Sequence, residues 1–185
     1  PSPKFAEKAK NDLDKNERVT VICSTLEKAV KMLEHQTFDF IIVSGLLNEI
    51  EEPVDFLKSI KRLCKNGHTV IHVNVANADS VHRLWAVEMG LIKSQCEASE
   101  RNKKFQQITV FRIESLKQTI LESAEEGAIE ILDMGSYFLK PFSHKQMMQC
   151  IEQGILTETL IDGLDKMVKY FPEYGSEIYI NYRIR

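Results

Sequence analysis

Three places in this 185-residue sequence set small or polar residues directly after an apolar run. Ser24 and Thr25 follow VTVIC, Ser44, Gly45 and Leu46 follow FDFIIV, and Ala76 and Asn77 follow VIHVNV. If the runs are parallel strands, these are their carboxyl ends, and an open α/β sheet binds ligands in the crevice beyond such ends. Just past the third end stand His82 and Arg83. An imidazole with an unperturbed pKa near ~6.5 can take up a proton at neutral pH. A guanidinium can hold a phosphate or carboxylate through two parallel bonds. Glu49, beyond the second end, offers a carboxylate, although Glu51 and Glu52 beside it also fit a solvated acidic turn. Tyr137 and Lys140 flank the end of a later strand-like run, where core packing and solvent exposure are the plainer roles.

Other residue types argue against metal and disulfide chemistry. Cys23, Cys64, Cys96 and Cys150 lie far apart with no CxxC pair, so they read as free thiols in a reducing compartment. His68 and His72 are four apart, but they sit in HTVIHV, a β-branched run. Four residues along a strand span roughly 13 Å, too far to share one metal ion.

These residues need elements to position them. Ser2 and Pro3 suit a helix start, with Phe5, Ala9 and Leu13 repeating at helical spacing. Residues 19–23 read as a short buried strand, and Leu26, Ala29, Val30 and Leu33 share a helical face. Residues 38–44 read as a strand covered on both faces. Pro53 opens a helix with Phe56, Leu57, Ile60 and Leu63 inward, Asn66 and Gly67 end it, and residues 69–75 form the next strand. This alternation predicts parallel strands joined by crossover helices, an α/β three-layer fold. Residues 80–89 follow as a helix stopped by Gly90, with Trp85 and Met89 read as core, and residues 97–104 as a polar loop. A helix over 116–123 and a strand within 129–138 come next. Ser143 and Gln146 fit a capping box. Thr157 caps a further helix with Leu160, Ile161, Leu164 and Val168 inward, and EIYINYR alternates strictly, as an antiparallel strand does.

Composition narrows the function classes. With 24 basic and 27 acidic side chains the net charge is −3, and the pI is about 6.0. A protein built mainly to grip nucleic acid would be basic. No stretch approaches the ~18 apolar residues of a membrane helix. No nucleic acid and no membrane is expected as a partner, and the setting is expected to be cytoplasmic, with a homo-oligomer allowed. The chain begins at Pro1 rather than Met, so the N-terminus is read as not a natural start.

Residues 38–73 resemble the middle of class I S-adenosylmethionine-dependent methyltransferases. The matching positions are Ser44, Leu47, Pro53, Leu57, Leu63, Lys65 and Gly67. Asn48 and Glu49 stand where the family commonly has Glu-His, Asn66 replaces a frequent Pro, and His68 the second Gly. NADSVHRLWAVEMGLI resembles a more specific block of a subgroup near glycan and small-metabolite pathways, through Asn77, Ser80, His82, Arg83, Met89 and Gly90. GSYFLKPFSHKQM and FPEYGSEIYI resemble the same subgroup's closing strands.

The resemblance implies a Rossmann-like sheet with strand order 3-2-1-4-5-7-6 and S-adenosylmethionine as cofactor. It places Ser24, Thr25 and Leu26 at the adenine edge and Ser44, Gly45 and Leu46 beside the sulfonium. It makes His82 and Glu49 the candidate catalytic residues. Asn77, His82, Arg83 and Tyr137 become candidates for holding a small-molecule acceptor, with residues 80–104 and 143–169 as cover over one partial domain spanning 1–185. The family's Gly-rich turn after its first strand and the acidic residue ending its second are both absent from these 185 residues. The opening PSPKFAEKAK resembles the stretch directly after that acidic residue, so the sheet is expected to lack its first two strands. Two other readings share the alternating pattern: a nicotinamide-dependent oxidoreductase, and a non-catalytic interaction module on a degenerate methyltransferase fold.

Overall fold

The computed structural model describes residues 2–33, 35–97 and 109–185. Helices α1 (Pro3–Leu13) and α2 (Leu26–Met32) precede strand β1 (Phe40–Ser44). Helix α3 (Pro53–Ile60), strand β2 (Val70–Ala76), helix α4 (Val81–Glu88) and helix α5 (Ile113–Glu122) follow. Strand β3 (Ile129–Tyr137), helices α6 (His144–Glu152) and α7 (Glu158–Lys166), and strand β4 (Glu177–Ile184) complete the order. The four strands make one sheet in the order β1-β2-β4-β3. β1 runs parallel to β2, with Phe40 opposite Val70 and Ser44 opposite Asn74. β4 enters between β2 and β3, antiparallel to both. The carboxyl ends of β1, β2 and β3 therefore share one edge of the sheet.

Side-chain parity decides which face is core. In β4 the residues Ile178, Ile180, Tyr182 and Ile184 alternate inward, as the sequence pattern predicts. They join Val43, Ile71, Val73 and Val75 from the neighbouring strands, and Leu57, Ile60, Leu116 and Ile120 from α3 and α5. A one-residue slip would send all four β4 side chains to the other face, so burial pins the register. The opposite parity carries Phe40, Ile42, His72, Asn74, Glu177, Tyr179 and Asn181, none of which belongs to that core.

Several expectations need correction. Residues 19–23 form no strand; a strand needs a neighbour for its ladder, and no described strand lies beside them. α1 forms, but its stripe has nothing to pack on: Phe5 is 74% exposed and the helix buries no residue. Trp85 and Met89 are exposed rather than core, and Trp85 instead tilts against Phe142 at 5.9 Å between ring centroids. Leu160 faces outward on α7. His68 sits in the turn before β2, which begins at Val70. The capping signals gave real contacts: Gln146 N–H donates to Ser143 Oγ at 3.4 Å, and Leu160 N–H to Thr157 Oγ1 at 3.3 Å. Residues 98–104 of the expected loop lie outside the described residues.

Three tyrosines on β3 and β4 tie stability to alkaline pH. Burial, then the Glu177 carboxylate and Tyr179, push the Tyr137 phenol up to about 12. Burial first also raises Tyr179, with Asp133 adding to it, and burial raises Tyr182 further still. A raised phenol pKa favours the neutral form in the fold. The contribution is complete below the ordinary tyrosine value of about 10 and is lost as pH climbs through the folded value. The denaturant midpoint should therefore fall steadily from about pH 10 to about pH 12, and less steeply in Tyr137→Phe. A midpoint with the same pH dependence in both proteins would contradict this.

Candidate functional site

A cavity of about 700 Å³ runs along the outer edge of β1, within the ~300–1,000 Å³ typical of small-molecule sites. Ser24, Thr25 and Leu26 line it from the start of α2, while Ile42, Ser44 and Leu46 line it from β1 and its turn. Ile50 and Phe56 close the apolar side. Two separate sequence signals thus meet in one place, because α2 packs on α3 and α3 on the sheet. Gly45 is the turn that makes the meeting possible. Its φ of 63° is left-handed, and its N–H still donates to Asn74 O at 2.9 Å. Any other residue there would cost roughly 1–2 kcal/mol. Beside this cavity, Glu27 has its carboxyl held below the usual range, by a backbone hydrogen bond first and then by Thr25.

Glu49 lies elsewhere. It is exposed in a single 3-10 turn, Leu47–Glu49, and lines a neighbouring acidic hollow with Glu27, Glu51, Glu52 and Asp55. Its neighbour Asn48, not singled out from sequence, is 1% exposed and works as a clamp. The amide donates to Thr109 O at 2.9 Å and accepts from Ala76 N–H at 3.1 Å. Nothing in the local sequence distinguishes this asparagine from a turn residue.

Asn77 is equally committed. Its Nδ2 donates to Glu173 O and Gly175 O, both at 2.8 Å, and its Oδ1 accepts from Asp79 N–H at 3.0 Å. The side chain is buried and holds the approach to β4 against the end of β2. Ser80, wholly buried, donates to Asn77 O, and Val81 N–H reaches Tyr174 O, so the start of α4 is fixed to the same turn. His82 occupies the second position of that helix, half-buried. Arg83 is 8% exposed, with Nε donating to Gln95 O at 2.8 Å and Nη2 to Glu97 O at 2.6 Å. Burial lowers its guanidinium pKa. These bonds tie residues 95–97 to α4, so Arg83 anchors the protein's own backbone.

Tyr137 ends β3 at the same edge of the sheet and stacks on Tyr179, with centroids 5.5 Å apart. The positions fall in two separate places along the carboxyl end of the sheet. One is the β1 cavity reached by Ser24, Thr25, Leu26, Ser44 and Leu46. The other is a polar and aromatic corner around Tyr137, near the helix start that carries His82. Among the described residues, no group of three or more His, Cys, Asp or Glu could hold a metal ion, and no helix is long and apolar enough to cross a membrane.

Known proteins share this architecture. Residues 1–71 match the family model described as a methyltransferase domain. No curated protein matches the chain in sequence. Among solved structures it is similar to the plantazolicin methyltransferase BamL, crystallised with a triazolic desmethylPZN analog and SAH. That likeness has a TM-score of 0.57 at 16% identity, covering 100% of this chain and 65% of that one. It is also similar to a SAM-dependent methyltransferase of Thermotoga maritima described as a possible histamine N-methyltransferase. There the TM-score is 0.59 at 18% identity, covering 100% of this chain and 70% of that one. An S-adenosylmethionine-dependent methyltransferase of Mesorhizobium loti gives 0.57 at 11% identity, covering 98% and 77%. At such identities the likeness is one of fold: the open four-stranded sheet matches part of the Rossmann-like fold of these methyltransferases. It spans just under two thirds of BamL's length.

Proposed function

We propose that the polypeptide carrying this chain transfers a methyl group from S-adenosylmethionine to a small-molecule acceptor. The observation that carries the reading is the convergence of Ser24, Thr25 and Leu26 with Ser44 and Leu46 on one cavity, in a sheet of this fold. The donor set suits the cofactor: hydroxyls and backbone groups at the start of α2 for a purine edge, and apolar Leu26, Leu46 and Phe56 for its flat faces. When bound, S-adenosylmethionine supplies an electrophilic methyl on a sulfonium. The chain's own task is then positioning, which can supply ~7–11 kcal/mol of a barrier by itself. Ser44 and Leu46 wall the cavity at the end of β1. On this reading His82, on a helix start held by Asn77 and Tyr174, accepts the proton that an acceptor hydroxyl or amine gives up. Residues 80–97 and 143–169 follow the carboxyl ends of β2 and β3 and form the cover on the acceptor side. Arg83 and Asn77, bonded to backbone, act as supports for that cover, and Glu49 is left out of the chemistry.

Filling the cavity tests the assignment. Ser44→Trp, at an exposed strand end, should leave thermal unfolding nearly unchanged. It should weaken S-adenosylhomocysteine binding by the natural polypeptide at least ~10-fold, about 1.4 kcal/mol. Undiminished binding would move the cofactor away from β1.

A further inference from the structure

The sheet face opposite the core holds an arrangement with its own chemistry. Strand register puts Ala76, Glu177 and Tyr137 abreast at the carboxyl edge of β2 and β3. The next row on this face is Ser44, Asn74, Tyr179 and Gly135, and the one after it Ile42, His72, Asn181 and Asp133. The Tyr179 ring crosses β3 over Gly135, where a Cβ would come within 3.3 Å of the phenol oxygen. Its hydroxyl donates to Asp133 Oδ2 at 3.0 Å. So held, the ring lies between Tyr137, at 5.5 Å and 17°, and His72, at 5.8 Å and 23°. His72 is itself fixed by a 2.7 Å hydrogen bond between Nδ1 and Asn181 Oδ1.

Glu177 stands at the end of this aromatic row. The amide of Asn74, 5% exposed, donates to its Oε2 at 2.7 Å, which orients the carboxylate, and among the described residues no hydrogen bond engages Oε1. None of the ion pairs among the described residues uses Glu177. Asp133, by contrast, is occupied by the Tyr179 hydroxyl.

We infer that the corner formed by Glu177 and Tyr137, with Tyr179 stacked behind Tyr137, binds a positively charged alkylammonium group of the methyl acceptor. The face of Tyr137 attracts a cation, most strongly where water is partly excluded, and an oriented carboxylate adds direct charge attraction, which a quaternary ammonium feels without any N–H. The raised pKa of Tyr137 keeps its ring neutral across the physiological range. Ser44, which lines the β1 cavity, shares the middle row with Tyr179, two strand spacings or about 10 Å away. The corner thus anchors an acceptor whose cationic nitrogen lies several bonds from its nucleophile. The word acceptor rests on the methyl-transfer reading; the cation site itself does not.

Choline and its neutral isostere 3,3-dimethylbutan-1-ol separate charge from shape. In saturation-transfer NMR titrations, choline should bind the protein at least ~10-fold more tightly than the isostere. Glu177→Gln, which can still accept from Asn74, and Tyr137→Leu should each erase that preference, with Glu177→Gln unfolding at the wild-type temperature. Equal affinity for the two probes, or an undiminished preference in Glu177→Gln, would overturn the site. Displacement of choline by S-adenosylmethionine but not by S-adenosylhomocysteine would give the corner to the cofactor's sulfonium and overturn the acceptor assignment. Loss of cofactor binding with choline binding intact would sink the methyl-transfer reading alone. The reverse would sink this inference alone.

Discussion

His82→Ala is expected to lower kcat for methyl transfer by about 10²-fold, with cofactor affinity nearly unchanged. His82 is the second residue of α4, half-buried on a helix start held to the turn at 173–175. A neutral imidazole is what a general base requires at neutral pH. The position is rigid because the buried Ser80 and Asn77 bind the helix start to the turn at 173–175. That turn leads directly into Glu177 and the aromatic corner. Arg83 sits about 100° further round the helix, bonded to the backbone at 95 and 97. Its replacement should loosen the cover and cost stability rather than remove a chemical group. The pH–rate profile distinguishes the roles: the acid limb should vanish in His82→Ala and persist in Arg83→Lys. An unchanged kcat with the natural acceptor would remove His82 from the mechanism and leave positioning as the main catalytic device.

The 185 residues alone are expected to bind S-adenosylmethionine with a Kd no tighter than about 1 mM, some ~4 kcal/mol of binding free energy. They contain no Gly-rich turn to approach the methionine end and no acidic strand end for the ribose hydroxyls. What remains is the wall made by Thr25, Leu26, Ser44 and Leu46, which holds one side of a ligand in a cavity open along β1. One wall offers few contacts against the translational and rotational freedom lost on binding. Micromolar affinity in a calorimetric titration of these residues would show that the cavity suffices by itself.

Sequence patterns revealed the elements whose logic is local. β4 was legible because its alternation is strict, and α6 and α7 because Ser143, Gln146 and Thr157 are capping residues whose bonds form within a few positions. The cavity was legible in part: Ser44 and Leu46 end a true parallel strand, whereas Ser24 and Thr25 reach it from the start of α2 and Ala76 and Asn77 lie outside it. Residues 19–23 were misread because an apolar run has strand character only beside a partner. Trp85 and Met89 were misread because helical spacing shows which side chains share a face, not what covers it. Asn77 and Arg83 looked like ligand donors because their types suit ligands. Only the folded backbone shows the Asn77 amide donating to residues 173 and 175, and Arg83 Nε and Nη2 donating to residues 95 and 97. The corner at Glu177 lay beyond sequence reading altogether: Asn74 and Glu177 are 103 positions apart and meet through the register of β2 and β4.

The central claim is that the crevice at the end of β1 serves S-adenosylmethionine chemistry rather than hydride transfer or partner docking. Calorimetric titration of the natural polypeptide with S-adenosylhomocysteine, and separately with a nicotinamide dinucleotide, tests it most directly. The account predicts one-to-one binding of S-adenosylhomocysteine, weakened by Ser44→Trp, and no heat from the dinucleotide. Binding of the dinucleotide alone, or of neither ligand, would contradict it.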